Sequence, residues 1–295
     1  MFKKMAGPMY VTIGALLWSI AGLALKYIPW HPLSISCVRG TVAALTIGCI
    51  RRKWRPRLTR ATVCAALCMF VTAILFMFAN KLTTAAHAIV IQYTAPVYVL
   101  LASAIVRKTR LRTLDILTVV FTIGGVILFF VDQLGEGAWL GNVLALLSGA
   151  TFAGVFFFNS DASANPEDAS YIGCAISIFL LPLLLSDPQV QLPAADWTPW
   201  IAVILLGVVQ LGLGYFFFAK GVQQTGAVTA VIISAAEPIL NPVWVFLVMR
   251  ERPGTLSIIG GIIVIVTICI YNALNARQAN VSSAGNSEKE LSPAK

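Results

Sequence analysis

The sequence predicts an all-α membrane protein whose ten transmembrane helices form two inverted five-helix repeats. The first observation behind this prediction is composition: 58% of the 295 residues are hydrophobic and 11% are charged, against roughly 45–50% and 25% in soluble domains. The second is that the apolar residues form long continuous runs, not the alternating segments of about 10 residues that a β-barrel shows. The third is that the two halves of the chain resemble each other.

Ten apolar runs are long enough to cross a bilayer as helices, which takes about 20 residues each. Prolines, glycines and charged residues separate the runs. We predict a first repeat over residues 1–131, a second over 140–274, and a disordered, Ser-rich cytoplasmic tail over 276–295. The predicted spans are residues 7–26, 33–50, 61–80, 84–106, 113–131, 140–158, 169–186, 198–218, 226–249 and 255–274.

The positive charges predict the orientation of the chain. Basic clusters at residues 51–60 and 107–112 follow spans 2 and 4, on the same side as Lys3 and Lys4. Sixteen Lys and Arg fall on that side and four on the other. Because such residues stay in the cytoplasm, we expect both termini to be cytoplasmic, in a bacterial plasma membrane. The net charge of +9 then reflects topology, and no nucleic-acid partner is expected.

An internal repeat relates the two halves. Residues 84–101 read TAAHAIVIQYTAPVYVLL and residues 226–243 read GAVTAVIISAAEPILNPV, an offset of 142 that aligns Pro96 with Pro238. Since each repeat has an odd number of spans, the second enters the membrane from the opposite side. Inverted repeats with a binding site near the midplane are typical of secondary transporters that work by alternating access.

The motifs resemble the EamA-like family of the drug/metabolite transporter superfamily. They are GALLWS in span 1, HPLSISCVRG around Arg39 in span 2, and AAEPILNPVWVFLVMRE, which ends at Glu251 in the second repeat. The first repeat departs from this pattern, because Thr109 takes the position of Glu251. The resemblance covers residues 7–274 and implies a ten-helix transporter of small metabolites, often an exporter.

Glu237 is the strongest single candidate for chemistry, because it is the one carboxylate deep in a predicted span. Such residues are unfavourable in hydrocarbon and usually face a cavity or a partner. Helical spacing places Ser234, Asn241 and Trp244 on the same face. We interpret Glu237 as a substrate-binding group and proton carrier. The alternative is that it binds backbone groups freed by the neighbouring Pro238.

Other polar and aromatic residues are predicted to complete a binding site between the repeats. The substrate-binding candidates besides the Glu237 face are Trp18, Gln92, Tyr93, Gln210 and Tyr215. Pro96 and Pro238 occupy matched positions and are expected to kink their helices as parts of a gate. Arg39, by contrast, is interpreted as a structural anchor that reaches toward the outer membrane surface.

These patterns favour a secondary transporter of small polar or amphipathic metabolites, such as amino acids or drug-like compounds. The single carboxylate suggests either that a cationic group of the solute is accepted or that a proton is exchanged. No catalytic or nucleotide-binding motif is present, and His31 and His87 lack metal-ligand spacing, so no enzyme activity, cofactor or metal is expected. A lipid-modifying membrane enzyme and a nucleotide-sugar carrier remain as alternatives. Because one chain contains both repeats, we expect it to function as a monomer in the lipid bilayer.

Overall fold

The protein is all-helical in its computed structural model, as the sequence predicts. The backbone is described except at residues 1, 26, 107–111, 133–137, 160, 162, 191–195, 226–232, 235, 251–253 and 292–295. Thr109, Glu251 and the predicted start of span 9 lie outside the described residues.

Ten helical segments of the described chain correspond to the ten predicted spans, and most of their ends differ from the prediction by a few residues. Spans 1 to 5 are Phe2–Ser19 with Ala21–Leu25, Pro32–Arg51, Arg60–Leu82, Ala85–Gln92 with Ala95–Val106, and Thr113–Asp132. Spans 6 to 10 are Trp139–Asn159, Pro166–Ala175 with Ile176–Leu180 and Leu181–Ser186, Thr198–Leu205 with Leu206–Leu213 and Gly214–Thr225, Ala236–Met249, and Thr255–Leu291. Within the described residues, six spans are long and apolar enough by themselves to cross a membrane, namely spans 1, 2, 3, 6, 7 and 8.

Polar side chains fix where several spans begin. The Thr59 hydroxyl accepts a hydrogen bond from the backbone N–H of Thr62 at 3.1 Å, and the Thr84 hydroxyl accepts one from His87 at 3.2 Å. At the start of span 7, Asn165 Oδ1 accepts from two backbone N–H groups, both at 3.1 Å. The first N–H groups of a helix have no partner inside the helix. These caps therefore stabilise the short connections before spans 3, 4 and 7.

Spans 5 and 10 pack against each other and present apolar stripes outward. Residues of span 5 spaced by three or four positions are at least half exposed; they are Ile116, Val120, Ile123 and Ile127. Span 10 shows a similar stripe that ends at Ile270. Three- and four-residue spacing keeps such side chains on one helix face. A continuous exposed apolar face fits contact with lipid hydrocarbon.

The packing of the spans is consistent with a twofold relation between the repeats. Span 3 packs on span 6 as span 8 packs on span 1, and span 2 packs on span 8 as span 7 packs on span 3. Equivalent spans also meet directly, in the pairs 2–7, 4–9 and 5–10. Exchanging each span with the one five positions later maps these pairs onto one another, as expected for two copies of one folding unit.

The C-terminal segment differs from the sequence prediction. Span 10 continues as one helix of 37 residues to Leu291, through most of the segment predicted to be disordered. At 1.5 Å per residue this helix is about 55 Å long, well over the roughly 30 Å of a bilayer core. The physical reason is that an existing helix extends without a new nucleation step, and residues 276–279 and 288–291 favour helices.

Candidate functional site

Spans of both repeats surround a central cavity of about 780 Å³, counting its open mouth. Five of the predicted substrate-binding residues line it: Trp18, Gln92, Gln210, Tyr215 and Glu237. The structure therefore brings together polar and aromatic side chains that lie far apart in the sequence.

Glu237 and Tyr93 form a direct link between the two repeats. The Tyr93 hydroxyl donates to Glu237 Oε2 at 2.6 Å and lies 3.3 Å from the carbonyl oxygen of Ser234. Both side chains are buried, with Glu237 8% exposed. Tyr93 reaches this position because span 4 is interrupted after Gln92 and resumes at Ala95. The carboxylate thus binds a side chain from the opposite repeat at the edge of the cavity.

An aromatic group forms another part of the wall. The Trp18 ring lies 5.1 Å from the ring centre of Tyr215, edge-on, and 4.8 Å from that of Phe218. Aromatic pairs at such distances and tilts are mutually attractive. Trp18 Nε1 is buried and has no hydrogen-bond partner among the described residues. The group offers a flat apolar surface together with one unused donor.

A π-helical segment brings Gln210 and Tyr215 to the same cavity. Residues Leu206–Leu213 of span 8 form π-helix, in which hydrogen bonds join residues five apart. In an α-helix, residues 210 and 215 would point about 140° apart, since each residue turns the helix by about 100°. The wider turn brings these two side chains closer to one face than an α-helix would, and both line the cavity. π-Helical turns are often found at functional sites.

Gln92 connects the cavity to span 6. Its Nε2 donates to Ser148 Oγ at 2.6 Å, and both side chains are buried. Ser148 belongs to the LALLSG segment, which corresponds to GALLWS in span 1. The amide is therefore held by the opposite repeat while it lines the cavity.

Three residues predicted on the Glu237 face do not line this cavity. Asn241 is fully buried against span 1, where a Cβ on Gly22 would clash with its side chain. Trp244 Nε1 donates to Ser19 Oγ at 3.0 Å, also in span 1. The predicted helix face is the same, but Asn241 and Trp244 lie about 6 and 10 Å beyond Glu237 along the axis. Ser234 is buried, and its carbonyl approaches Tyr93.

The two matched prolines lie at helix starts and not in helix interiors. Pro96 is the second residue of Ala95–Val106, and Pro238 is the third residue of Ala236–Met249. A proline is tolerated in the first helical turn because the N–H groups there have no partner within the helix. The interruption of span 4 therefore precedes Pro96, at Tyr93 and Thr94.

Arg39 is a cavity residue that the sequence interpretation placed elsewhere. It is 4% exposed and lines the cavity, together with Ser36 and Gly40 from the same span. The spacing Ser36–Arg39–Gly40 marks one helix face and could have identified this surface. Cys174 and Ser177 of span 7 also line the cavity and were not predicted. Span 7 comes close because Gly40 has no Cβ, which would clash with Ser177.

The described side chains include no group of three or more His, Cys, Asp or Glu that could hold a metal ion. Arg39, Glu237, amides, hydroxyls and aromatic rings supply the chemistry of the cavity instead. Such groups bind ions, hydrogen-bonding groups and apolar surfaces by non-covalent contacts. The arrangement is that of a binding site for a small organic solute.

Comparisons with known proteins agree with this architecture. The chain is 23% identical over 271 residues to an uncharacterized transporter of Archaeoglobus fulgidus, covering 90% of this chain and 95% of the relative. It is 28% identical over 146 residues to the biotin transporter of Escherichia coli K12, covering 47% and 48%. It is 22% identical to a probable terminal-alkyne amino-acid exporter of Streptantibioticus cattleyicolor, covering 89% and 87%.

A solved crystal structure shares the fold at a TM-score of 0.64 and 19% identity, covering 93% of this chain and 99% of that one. The model of the EamA-like transporter family matches twice, at residues 5–131 and 139–273. These two matches cover nearly all ten spans and confirm the resemblance found in the motifs. The chain belongs to the EamA-like transporter family and is an integral membrane transporter of small molecules, built from two repeats.

Proposed function

We propose that this protein is a proton-coupled secondary transporter that exports small polar or amphipathic metabolites, such as amino acids, by alternating access. The observation that carries the proposal is the cavity between the repeats, where Glu237 and Arg39 share one space with the Trp18 and Tyr215 rings. Charged and hydrogen-bonding groups suit the polar end of such a solute, and the rings suit its apolar part.

Alternating access is supported by the contacts of spans 2 and 7, an equivalent pair of the two repeats. At one end, Arg51 Nη2 forms an ion pair with Asp168 Oδ1, and the backbone N–H of Arg57 donates to Asp168 Oδ2 at 3.2 Å. At the other end, Asp187 Oδ2 accepts from Ser34 Oγ at 2.6 Å and from the backbone N–H of His31 at 3.0 Å. Opening one end at a time would expose the cavity alternately to the two sides.

The interruption of span 4 and the matched position of the two prolines fit a gating role. Pro96 and Pro238 begin helical segments at matched positions, and Tyr93 and Glu237 lie within three residues of them. A rotation of either segment would therefore alter the Tyr93–Glu237 hydrogen bond. We assign Pro96 and Pro238 to the gate for this reason, as hinges that move when the cavity opens.

Proton coupling is assigned to Glu237. Its carboxylate is buried in a span and bonded to Tyr93, and the other described ionisable side chains that line the same cavity are Arg39, Cys174 and Tyr215. A carboxylate in this setting can exchange a proton between the two sides or bind an ammonium group of the solute. One charge moved across 100 mV corresponds to about 2.3 kcal/mol, or roughly fiftyfold accumulation.

The named relatives include a transporter of biotin and a probable exporter of an amino acid. Both names describe small solutes with a polar and an apolar part, which supports the proposed substrate class. We place the protein in a bacterial plasma membrane with both termini in the cytoplasm, on the basis of the asymmetric Lys and Arg distribution.

Transport by the purified protein in proteoliposomes tests the proposal. We expect saturable flux of labelled neutral amino acids such as phenylalanine, driven by an imposed pH gradient. Glu237→Gln keeps the shape of the side chain but cannot titrate, so the flux should lose its pH dependence. Asp196→Asn removes an exposed loop carboxylate, and the control should behave as wild type.

Two results would count against the proposal. Absence of saturable flux for a panel of amino acids and aromatic amines, in liposomes that contain folded protein, would overturn the substrate class. A wild-type rate and an unchanged pH profile in Glu237→Gln would show that Glu237 is structural and would overturn the proton assignment.

A further inference from the structure

Arg39 carries a charge in the middle of the protein for which the described structure provides no counter-ion. Its side chain is 4% exposed, and no described Asp or Glu lies within ion-pair distance of it. Arg39 Nη1 is buried and has no hydrogen-bond partner among the described residues. A buried charge without a partner is strongly unfavourable, so such groups usually face a binding site or a pathway.

The surroundings of Arg39 orient it toward the cavity and not toward lipid. Span 2 is packed between spans 7 and 8, with Gly40 against Ser177 on one side and Gly207 against Val42 and the Arg39 carbonyl on another. The cavity neighbours Cys174 and Tyr215 are neutral side chains in their usual state. The guanidinium therefore lines the cavity as its one described cation, opposite in charge to Glu237.

Two further residues that line the cavity, Ser36 and Trp18, carry unused donors, and Trp18 Nε1 lies close to Gly214 of span 8. Ser36 Oγ lies one helical turn before Arg39, and Trp18 Nε1 belongs to span 1; both are buried cavity residues without a hydrogen-bond partner in the described structure. Arginine presents a planar fork of N–H groups that matches the two oxygens of a carboxylate. These donors have no hydrogen-bond partner in the described structure, so they are available to a carboxylate in the cavity.

We propose that Arg39 is the anion-binding residue of the central cavity and holds the carboxylate of a transported solute whose ammonium group faces Glu237. This inference rests on the proposed transport function and narrows its substrate class to zwitterions of the amino-acid type. Glu237 remains able to take part, because Tyr93 occupies Oε2 and leaves Oε1 for a second partner. Separated charges of opposite sign in one cavity favour a zwitterion over an amine or an acid alone.

Three probes with the same aromatic skeleton test this assignment: L-phenylalanine, phenethylamine and 3-phenylpropanoate. Binding to the purified full chain in lipid nanodiscs is measured by titration calorimetry. We expect wild type to bind phenylalanine most tightly. Arg39→Gln should weaken the binding of phenylalanine about ten- to a hundredfold, the usual range for a lost hydrogen bond to a charged group. It should change the affinity for phenethylamine by less than twofold. Arg39→Lys should weaken phenylalanine binding by a smaller factor, because the charge stays. Some affinity is still lost, since lysine lacks the planar fork of N–H groups.

A structural role for Arg39 predicts different results. An anchor would make Arg39→Gln unfold at a lower temperature without ligand, whereas removal of an unpaired buried charge should leave the melting temperature unchanged or raise it. Arg55→Gln removes an exposed arginine from the loop after span 2 and serves as the matched control. It should bind all three probes as wild type does.

The outcomes separate this inference from the function on which it rests. If Arg39→Gln lowers the affinities for phenylalanine and phenethylamine equally, the role of Arg39 is overturned and the transporter proposal stands. The same holds if the melting temperature falls while the ratio of the two affinities is unchanged. Equal affinity of wild type for phenethylamine and phenylalanine would also overturn the role of Arg39 and leave the transporter proposal standing. Wild type that binds none of the probes would overturn the proposed substrate class, and this inference with it.

Discussion

The two ends of the span 2–span 7 pair hold the same two helices together by different chemistry. At the Arg51 end, Asp168 is 3% exposed and is paired with a guanidinium, and Arg51 also lies 5.5 Å from the centre of the Tyr171 ring. At the Asp187 end, a partly exposed carboxylate accepts from a hydroxyl and two backbone N–H groups, and no described Lys or Arg forms an ion pair with it. The Asp168 site should therefore be the less tolerant of the two to loss of its carboxylate.

This difference indicates which end of the protein depends more strongly on a single carboxylate. Breaking a buried ion pair by removing one partner is destabilising by about 3–5 kcal/mol, whereas a hydrogen bond to a charged group is worth about 1.5–3 kcal/mol. The twofold relation of the spans therefore does not imply equal stability of the two closed ends. We infer that the Arg51 end is the more sensitive of the two to loss of one carboxylate.

Asp168→Ala should have the largest effect on this asymmetry. It leaves Arg51 buried without its main partner, so we expect the free energy of unfolding to fall by about 3–5 kcal/mol. Denaturant unfolding of the purified protein in detergent would measure the loss. Thiol labelling of the cavity residue Cys174, followed peptide by peptide, should become faster as the Arg51 end opens.

The neighbouring Glu167 provides a matched control. Its carboxylate lies 3.7 Å from Arg51 Nε and is 37% exposed, so Glu167→Gln should cost less than about 1 kcal/mol. If Glu167→Gln and Asp168→Ala destabilise the protein equally, the buried pair is not what holds this end closed.

Asp187→Asn should have an intermediate effect at the opposite end. The amide can still accept from Ser34 and His31, but it loses the charge, so we expect a loss of about 1–2 kcal/mol in unfolding free energy. The rate of Cys174 labelling should increase by less than it does in Asp168→Ala. A greater rise in Asp187→Asn would reverse the order of sensitivity inferred for the two ends.

Acid should weaken the Asp187 end by the smallest amount. Burial raises the pKa of the Asp187 carboxyl, but hydrogen bonds from Ser34, Gln189 and His31 outweigh it and hold the pKa below its usual value. The carboxylate therefore stabilises the fold above its ordinary pKa of about 3.9, and this stability is lost as the pH falls through the lowered value. The difference in melting temperature between wild type and Asp187→Asn should shrink below about pH 4. A constant difference from pH 6 to 3 would contradict this account.

The spans were predictable from the sequence because each depends on local features. Apolar runs, the prolines at 32 and 166 and the basic residues after span 2 mark helix ends directly. Trp18, Gln92, Tyr215 and Glu237 were identified because polar or aromatic groups inside apolar spans are conspicuous. The repeat architecture predicted that their spans meet, and all four side chains line one cavity.

Other features depend on contacts that local patterns do not encode. The inward orientation of Arg39 follows from the close approach of span 7 at Gly40. Asn241 and Trp244 share the helix face of Glu237 but lie beyond the cavity. Helical spacing predicts which face a side chain is on, but not how far along the helix axis the cavity extends. The Tyr93–Glu237 bond requires the break in span 4, and the π-helical residues Leu206–Leu213 contain no residue that distinguishes them from an α-helix.

The π-helical segment gives span 8 an unusual tolerance to a change in chain length. Loss of one residue from a regular span rotates everything beyond it by about 100° and shifts it by 1.5 Å. In span 8, deleting Val208 would instead convert the widened turn to an ordinary α-helix. The span would remain continuous, but Gln210 and Tyr215 would no longer face the same space. The extra residue thus acts as an insertion that turns Gln210 and Tyr215 toward the same cavity. Its removal would turn them apart while leaving the helix continuous.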